Sequence, residues 1–167
     1  MQHNTVGAEY LKTVRNRFIE VREAAERTFA QLSDEQLVWS PNEESNSIAV
    51  IIRHMSGNMI SRWTDFFDTD GEKPTRNRDG EFVKGDATRE ERLSNWNEGW
   101  NTFLAALEGI REEDLLRTIY IRKQPHSVIE AIERQMYHYS YHVGQIVYIA
   151  KQLKDANWQT LTIPRKK

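Results

Sequence analysis

The run Tyr137-His138-Tyr139-Ser140-Tyr141-His142 sits in the middle of the last long apolar-periodic stretch of the chain, from about Ser127 to Leu153. Within it Ile132, Met136, Tyr139, Val143, Ile146, Ala150 and Leu153 recur by four and three without a slip, the pattern of a helix that buries one face. One position back runs a second ladder of Ala131, Gln135, His138, His142, Gln145 and Ile149. His138 and His142 therefore stand one turn apart on the same face, with Cβ atoms roughly 5–6 Å apart. Two imidazoles so placed can converge on one metal ion, with Zn–N bonds of about 2.0–2.1 Å.

Three more helices follow from the same reading. The first runs from about Val6 to Leu32 on Leu11, Val14, Phe18, Val21, Ala25 and Leu32. Ser33 then caps a short helical segment, which Ser40-Pro41 ends, because proline keeps its predecessor out of the α region. The second long helix runs from about Ser47 to Phe67 on Ile48, Ile52, Met55, Met59, Trp63 and Phe66. Beside that stripe lie Ser47, Ile51, His54, Asn58, Ser61 and Asp65, an unusually polar ladder for a face next to a core. The third opens at Thr88 with Glu91 three residues on, a capping box, and carries Leu93, Trp96, Trp100, Phe103, Leu107 and Ile110. Rings at helical spacing read as core rather than as a ligand box. Between the second and third helices, residues 68–87 form a long loop of glycine, proline and charge, in which Phe82-Val83 suggests that part packs back down. Residues 111–124 are polar around a β-like run, Thr118-Ile119-Tyr120-Ile121. Four amphipathic helices with a minor β element predict an all-α fold, a four-helix bundle, in one domain spanning residues 1–167.

Composition removes whole classes of function. The net charge is −2, so no nucleic-acid partner is expected, and the terminal Arg165-Lys166-Lys167 reads as a solvated tail. No cysteine occurs, which excludes disulfides, thiolate ligands and a cysteine nucleophile. No apolar run is long enough to span a bilayer, and the first residues lack the blocks of a signal peptide. A cytoplasmic protein without a membrane partner is the expectation. There is no His-Glu-x-x-His, no Gly-x-Ser-x-Gly and no phosphate-binding glycine loop.

His54, on the ladder of the second helix, is the natural third partner for His138 and His142. Three histidines facing one interior need a reason, since a buried imidazole without a partner is costly. Either they hydrogen-bond one another or they hold a divalent metal. Three neutral imidazoles leave a fourth coordination position free, the arrangement of a catalytic site, where a metal activates water or binds an incoming thiol as thiolate. Asn58 lies one turn from His54 and Gln145 nearly one turn from His142, so these two are either candidates to orient the ligands or ordinary polar residues at a helix boundary. Arg76 and Arg78, in the long loop, are candidates to reach over the mouth and hold a substrate carboxylate in bidentate fashion. His3 and His126 read as surface residues.

The segments Ile51-Ile52-Arg53-His54-Met55-Ser56-Gly57-Asn58 and Tyr137-His138-Tyr139-Ser140-Tyr141-His142-Val143-Gly144-Gln145-Ile146, in this order on two long helices, resemble the ligand segments of the DinB/YfiT-like superfamily. The resemblance covers most of the chain. It implies a down-up-up-down bundle, a zinc or nickel ion on three histidines, and in many members a homodimer. Characterised relatives transfer low-molecular-weight thiols such as bacillithiol or mycothiol to small electrophiles. The loop Gly71 to Phe82 looks like that of an uncharacterised bacterial branch instead. The resemblance thus implies a metal-dependent thiol transferase acting on a small molecule. A hydrolase using metal-activated water and a non-catalytic, metal-stabilised dimer are the alternatives.

Overall fold

The computed structural model describes residues 5–164. Four long helices carry the architecture: α1 (Val6–Phe29), α3 (Ile48–Trp63), α4 (Arg89–Gly109) and α5 (Val128–Lys154), with the short α2 (Asp34–Val38) and a hairpin of β1 (Thr118–Ile121) and β2 (Gln124–Ser127). Each helix start is satisfied locally: Thr5, Ser33, Ser47, Thr88 and Ser127 each accept a bond from a backbone N–H of the first turn. The boxes on Ser33, Thr88 and Ser127 close reciprocally through Gln36, Glu91 and Glu130, silencing donors that no helix can satisfy internally.

Side-chain pairs fix the helix directions. Phe18 meets Phe103 at 4.5 Å and Phe29 meets Trp96 at 5.1 Å, so α1 and α4 are antiparallel. Tyr10 reaches Glu133 and Phe18 reaches Tyr139, so α1 and α5 are parallel. Asn58 bonds Gln135 while His54 bonds His138, so α3 and α5 are antiparallel. Gly99 abuts Ser56 and Trp63 abuts Phe103, so α3 and α4 run side by side in the same direction. The bundle is down-up-up-down, and that topology explains the long loop. After α3 the chain must return along a 16-residue helix, about 24 Å at 1.5 Å per residue, before α4 can begin.

Phe18, Trp63, Trp100, Phe103 and Tyr139, all at most 2% exposed, form the centre. Their rings meet edge-on at 4.5–6.0 Å, the geometry favoured by aromatic quadrupoles. The aromatic stripe of α4 is core. A Cβ on Gly99 would lie 2.9 Å from Ser56 Cα, so glycine here sets how closely α3 and α4 approach.

Three boundaries differ from the periodicity. Helix α1 stops at Phe29, and Gln31 and Leu32 tighten into i,i+3 bonds on Thr28 and Phe29, with Leu32 still buried. Helix α3 stops at Trp63, because Thr64 is extended and Asp65 takes φ 46°; Phe66 is buried from a turn rather than from the helix. Residues 124–127, expected as the approach to the last helix, pair antiparallel with β1. Ile119 and Ile121 of that hairpin are buried.

Candidate metal centre

His54 comes from the middle of α3, and His138 and His142 from the middle of α5, where the two helices pass antiparallel. Their Nε2 atoms converge. His138 Nε2 lies 3.2 Å from His54 Nε2 and 3.1 Å from His142 Nε2. Tetrahedral ligands at 2.0–2.1 Å from a zinc ion are about 3.3 Å apart, so the nitrogens already have nearly the separation of a ligand set.

Protonation makes the case stronger than distance does. His54 Nδ1 is 2.9 Å from Glu81 Oε2, and a carboxylate can only accept, so that nitrogen carries the proton. His142 Nδ1 donates to Gln145 Oε1 at 2.8 Å. In its neutral form each of these rings therefore turns an Nε2 lone pair inward, toward His138 Nε2. A single proton on His138 can serve only one of the two well, so at least one lone pair faces another nitrogen without a proton between them. A cation relieves that conflict. The donor set fits a divalent metal: three imidazoles, two of them oriented by outer partners.

The electrostatics favour the neutral form of His138 and of His142. Burial first, then the repulsion that a charged His138 would meet from protonated His142 or His54 and from Arg62 and Arg76, pushes His138 down to about 3. Burial also lowers His142, against the opposing pull of its bond to Gln145. Burial would raise Glu81, but bonds from His54 and Arg76 together outweigh it and hold the carboxyl below its ordinary range. Glu81 is thus ionised and accepts.

Glu81 is the site residue that the periodicities did not reveal. It stands on the 3-10 turn Asp79–Phe82, only 6% exposed, and accepts the fork of Arg76 through Nε at 2.7 Å and Nη2 at 2.8 Å. Gly57 makes room for it, since a Cβ there would lie 2.9 Å from Glu81 Cδ. Phe82 sets its ring 4.8 Å from that of His54. The loop is thereby a wall of the site. The signals for it in the sequence were Phe82 and a glycine one turn from His54, neither of which names a carboxylate.

The remaining candidates divide. Gln145 bonds His142. Asn58 is not joined to His54; its Oδ1 accepts from Gln135 Nε2 at 2.9 Å and from Tyr139 Oη at 3.3 Å, tying α3 to α5 behind the histidines. Arg76 is spent on Glu81 and Glu72, with its side chain 5% exposed, so it braces the wall instead of offering a free fork. Arg78 is half exposed, 3.5 Å from Asp79 and over the Phe82 ring. Arg76 and Arg78 both border a cavity of about 320 Å³ that opens beside His54 and His138. His126, expected at the surface, is half-buried in β2 away from the cluster; His3 and the 165–167 tail lie outside the described residues. No helix among the described residues is long and apolar enough to cross a membrane.

Compared with protein-family models, residues 5–167 match one described as "Protein of unknown function (DUF1572)". No curated protein matches the chain.

Proposed function

The chain belongs to the DUF1572 family, and from its three-histidine cluster we propose a metal-dependent enzyme of DinB/YfiT type that transfers a low-molecular-weight thiol to a small electrophile. One observation carries the reading: Glu81 and Gln145 take the Nδ1 protons of His54 and His142, which turns two Nε2 lone pairs onto His138 Nε2. His54, His138 and His142 would hold zinc or nickel. When bound, such an ion supplies Lewis acidity, lowering the pKa of a thiol or water at the free position. The chain's own groups do the rest. Glu81 fixes the His54 tautomer and ring plane, Gln145 does so for His142, and Phe82 shields the His54 ring from water. The thiol must come from outside, because the chain has no cysteine. The homodimer implied by the resemblance belongs to the same proposal.

The test is thiol dependence. Metal-loaded protein is incubated with an electrophile such as monochlorobimane, with and without bacillithiol, mycothiol or glutathione. Thiol-dependent conjugation that disappears in His142→Ala supports transfer. Turnover of ester substrates with no thiol present, lost in the same variant, would replace transfer by hydrolysis.

A further inference from the structure

We propose that the cavity beside the three histidines is an oxyanion-recognition site, and that the substrate is a small molecule bearing a carboxylate or phosphate group. The inference rests on the metal-centre reading for what the anion is held against, but the anion site stands on its own residues.

Five guanidinium groups line the cavity: Arg62, Arg76, Arg78, Arg122 and Arg134. They arrive from α3, the crossover, the hairpin turn and α5, so no single helix face accounts for them. The carboxylates nearby are already shared out. Glu81 is held by Arg76 and His54. Glu72 lies 3.0 Å from Arg122 Nε, 3.5 Å from Arg76 Nη1 and 3.8 Å from Arg62 Nη2. Asp70 accepts the backbone N–H groups of Glu72, Arg122 and Lys123. Asp79, against Arg78, is 98% exposed. Positive charge therefore exceeds negative around a concave, half-buried space, which concentrates anions.

Arg62 is the sharpest observation. It is 4% exposed, its Nε donates to Gly71 O at 3.2 Å, and its Nη1 has no hydrogen-bond partner among the described residues. A buried donor left unmade is expensive. Burial pulls its pKa down to about 10, which still leaves it charged at neutral pH. Arg134, on α5 one turn before His138, borders the same cavity and has no hydrogen-bond or ion-pair partner among the described residues. Two incompletely paired guanidiniums from opposed helices flank one space. The forked geometry of arginine suits the paired oxygens of a carboxylate or phosphate. Nor is Arg122 placed by chance. It and Lys123 form the two-residue hairpin turn at φ 53° and 62°, and Asp70 clamps both amides at 2.8 and 2.6 Å, which fixes the turn at the cavity wall. An anion held there puts the rest of a small ligand against His54 and His138.

The experiment is calorimetric titration of inorganic phosphate and of malonate, against chloride at constant ionic strength. It uses protein as purified and after chelation, with metal content measured on the same samples. At least one anion binds saturably, and Arg134→Gln weakens that binding about tenfold or more, the worth of one charge-assisted contact. Arg17→Gln on α1 makes the same change in net charge far from the cavity and leaves binding unchanged. Phosphate alone assigns a phosphorylated substrate, malonate alone a carboxylate, and both assign the shared oxyanion chemistry. No saturable binding of either, or equal weakening by Arg134→Gln and Arg17→Gln, overturns the proposal. Anion binding by protein that never takes up metal would remove the metal reading while leaving this one standing. Metal uptake without anion binding would do the reverse.

Discussion

Replacing Glu81 by Gln probes the site through a residue that no ligand pattern would single out. The substitution keeps the shape of the side chain and removes its charge. In the folded protein this carboxylate accepts three charged or polar donors, His54 Nδ1–H at 2.9 Å and the Arg76 fork at 2.7 and 2.8 Å. A glutamine can accept through one oxygen only, and its NH₂ would then face a donor. Breaking a buried ion pair costs about 3–5 kcal/mol when one charge is left alone. Arg76 keeps Glu72 at 3.5 Å, so the loss should fall at the lower end, about 3 kcal/mol. It is read as a shift in urea midpoint at unchanged m-value. The second consequence is at the histidines: with the His54 tautomer no longer fixed, metal affinity should fall about 10–100-fold, measured by competition with a chromophoric chelator. Adding Arg76→Met to Glu81→Gln should recover part of the stability by removing the orphaned charge, and none of the metal affinity. Wild-type stability and wild-type affinity in Glu81→Gln would refute the role assigned to this loop.

Other outcomes follow from particular contacts. Without metal, stability should fall as the pH drops from about 6.5 toward 3, because unfolded His138 takes up a proton that the folded ring resists until about pH 3; each pH unit is worth at most about 1.4 kcal/mol per group. Glu81, depressed in the fold, adds to the loss below about pH 4.5, where its unfolded counterpart becomes protonated; a thermal-melt series against pH checks both, and His138→Ala should flatten the upper part. Gly99→Ala should cost about 1–3 kcal/mol, since its Cβ would meet Ser56 Cα at 2.9 Å and neither helix backbone can yield cheaply; an unchanged denaturation midpoint would contradict this. Lys123→Gly should stabilise by up to about 1 kcal/mol, because φ 62° is left-handed and burdens any residue with a Cβ.

The long helices were legible because their burial is periodic. Residues such as Phe18, Met55, Trp100 and Tyr139 recur on single faces and end in the core, and the polar ladders beside two of those faces carried all three histidines to one place. Where geometry depends on the rest of the molecule, the chain was opaque. Pairing of β2 with β1 runs through Gln124-Pro125-His126-Ser127, which has no apolar alternation, and the turn Arg122-Lys123 lacks the glycine or asparagine that usually marks such a hairpin. The ends of α1 and α3 overran because Leu32 and Phe66 stay buried after the helix has stopped. Glu81 and Arg62 were missed for a common reason. One is brought to His54 by a crossover that the bundle topology requires, and the other is a charged residue on an otherwise core-facing helix. Asn58 shows the opposite failure, since its spacing from His54 was right for a partner but its oxygen faces Gln135 and Tyr139.

The central claim, that these three histidines hold a metal, is tested most directly by metal analysis of tag-free protein, wild type beside His138→Ala. His138 is the ring both other Nε2 atoms face, so its loss should abolish binding. About one divalent metal per wild-type chain and none in the variant is the expected result. Wild-type protein that stays free of metal after incubation with zinc and with nickel would contradict it, leaving the cluster as three imidazoles held by Glu81, Gln145 and one another.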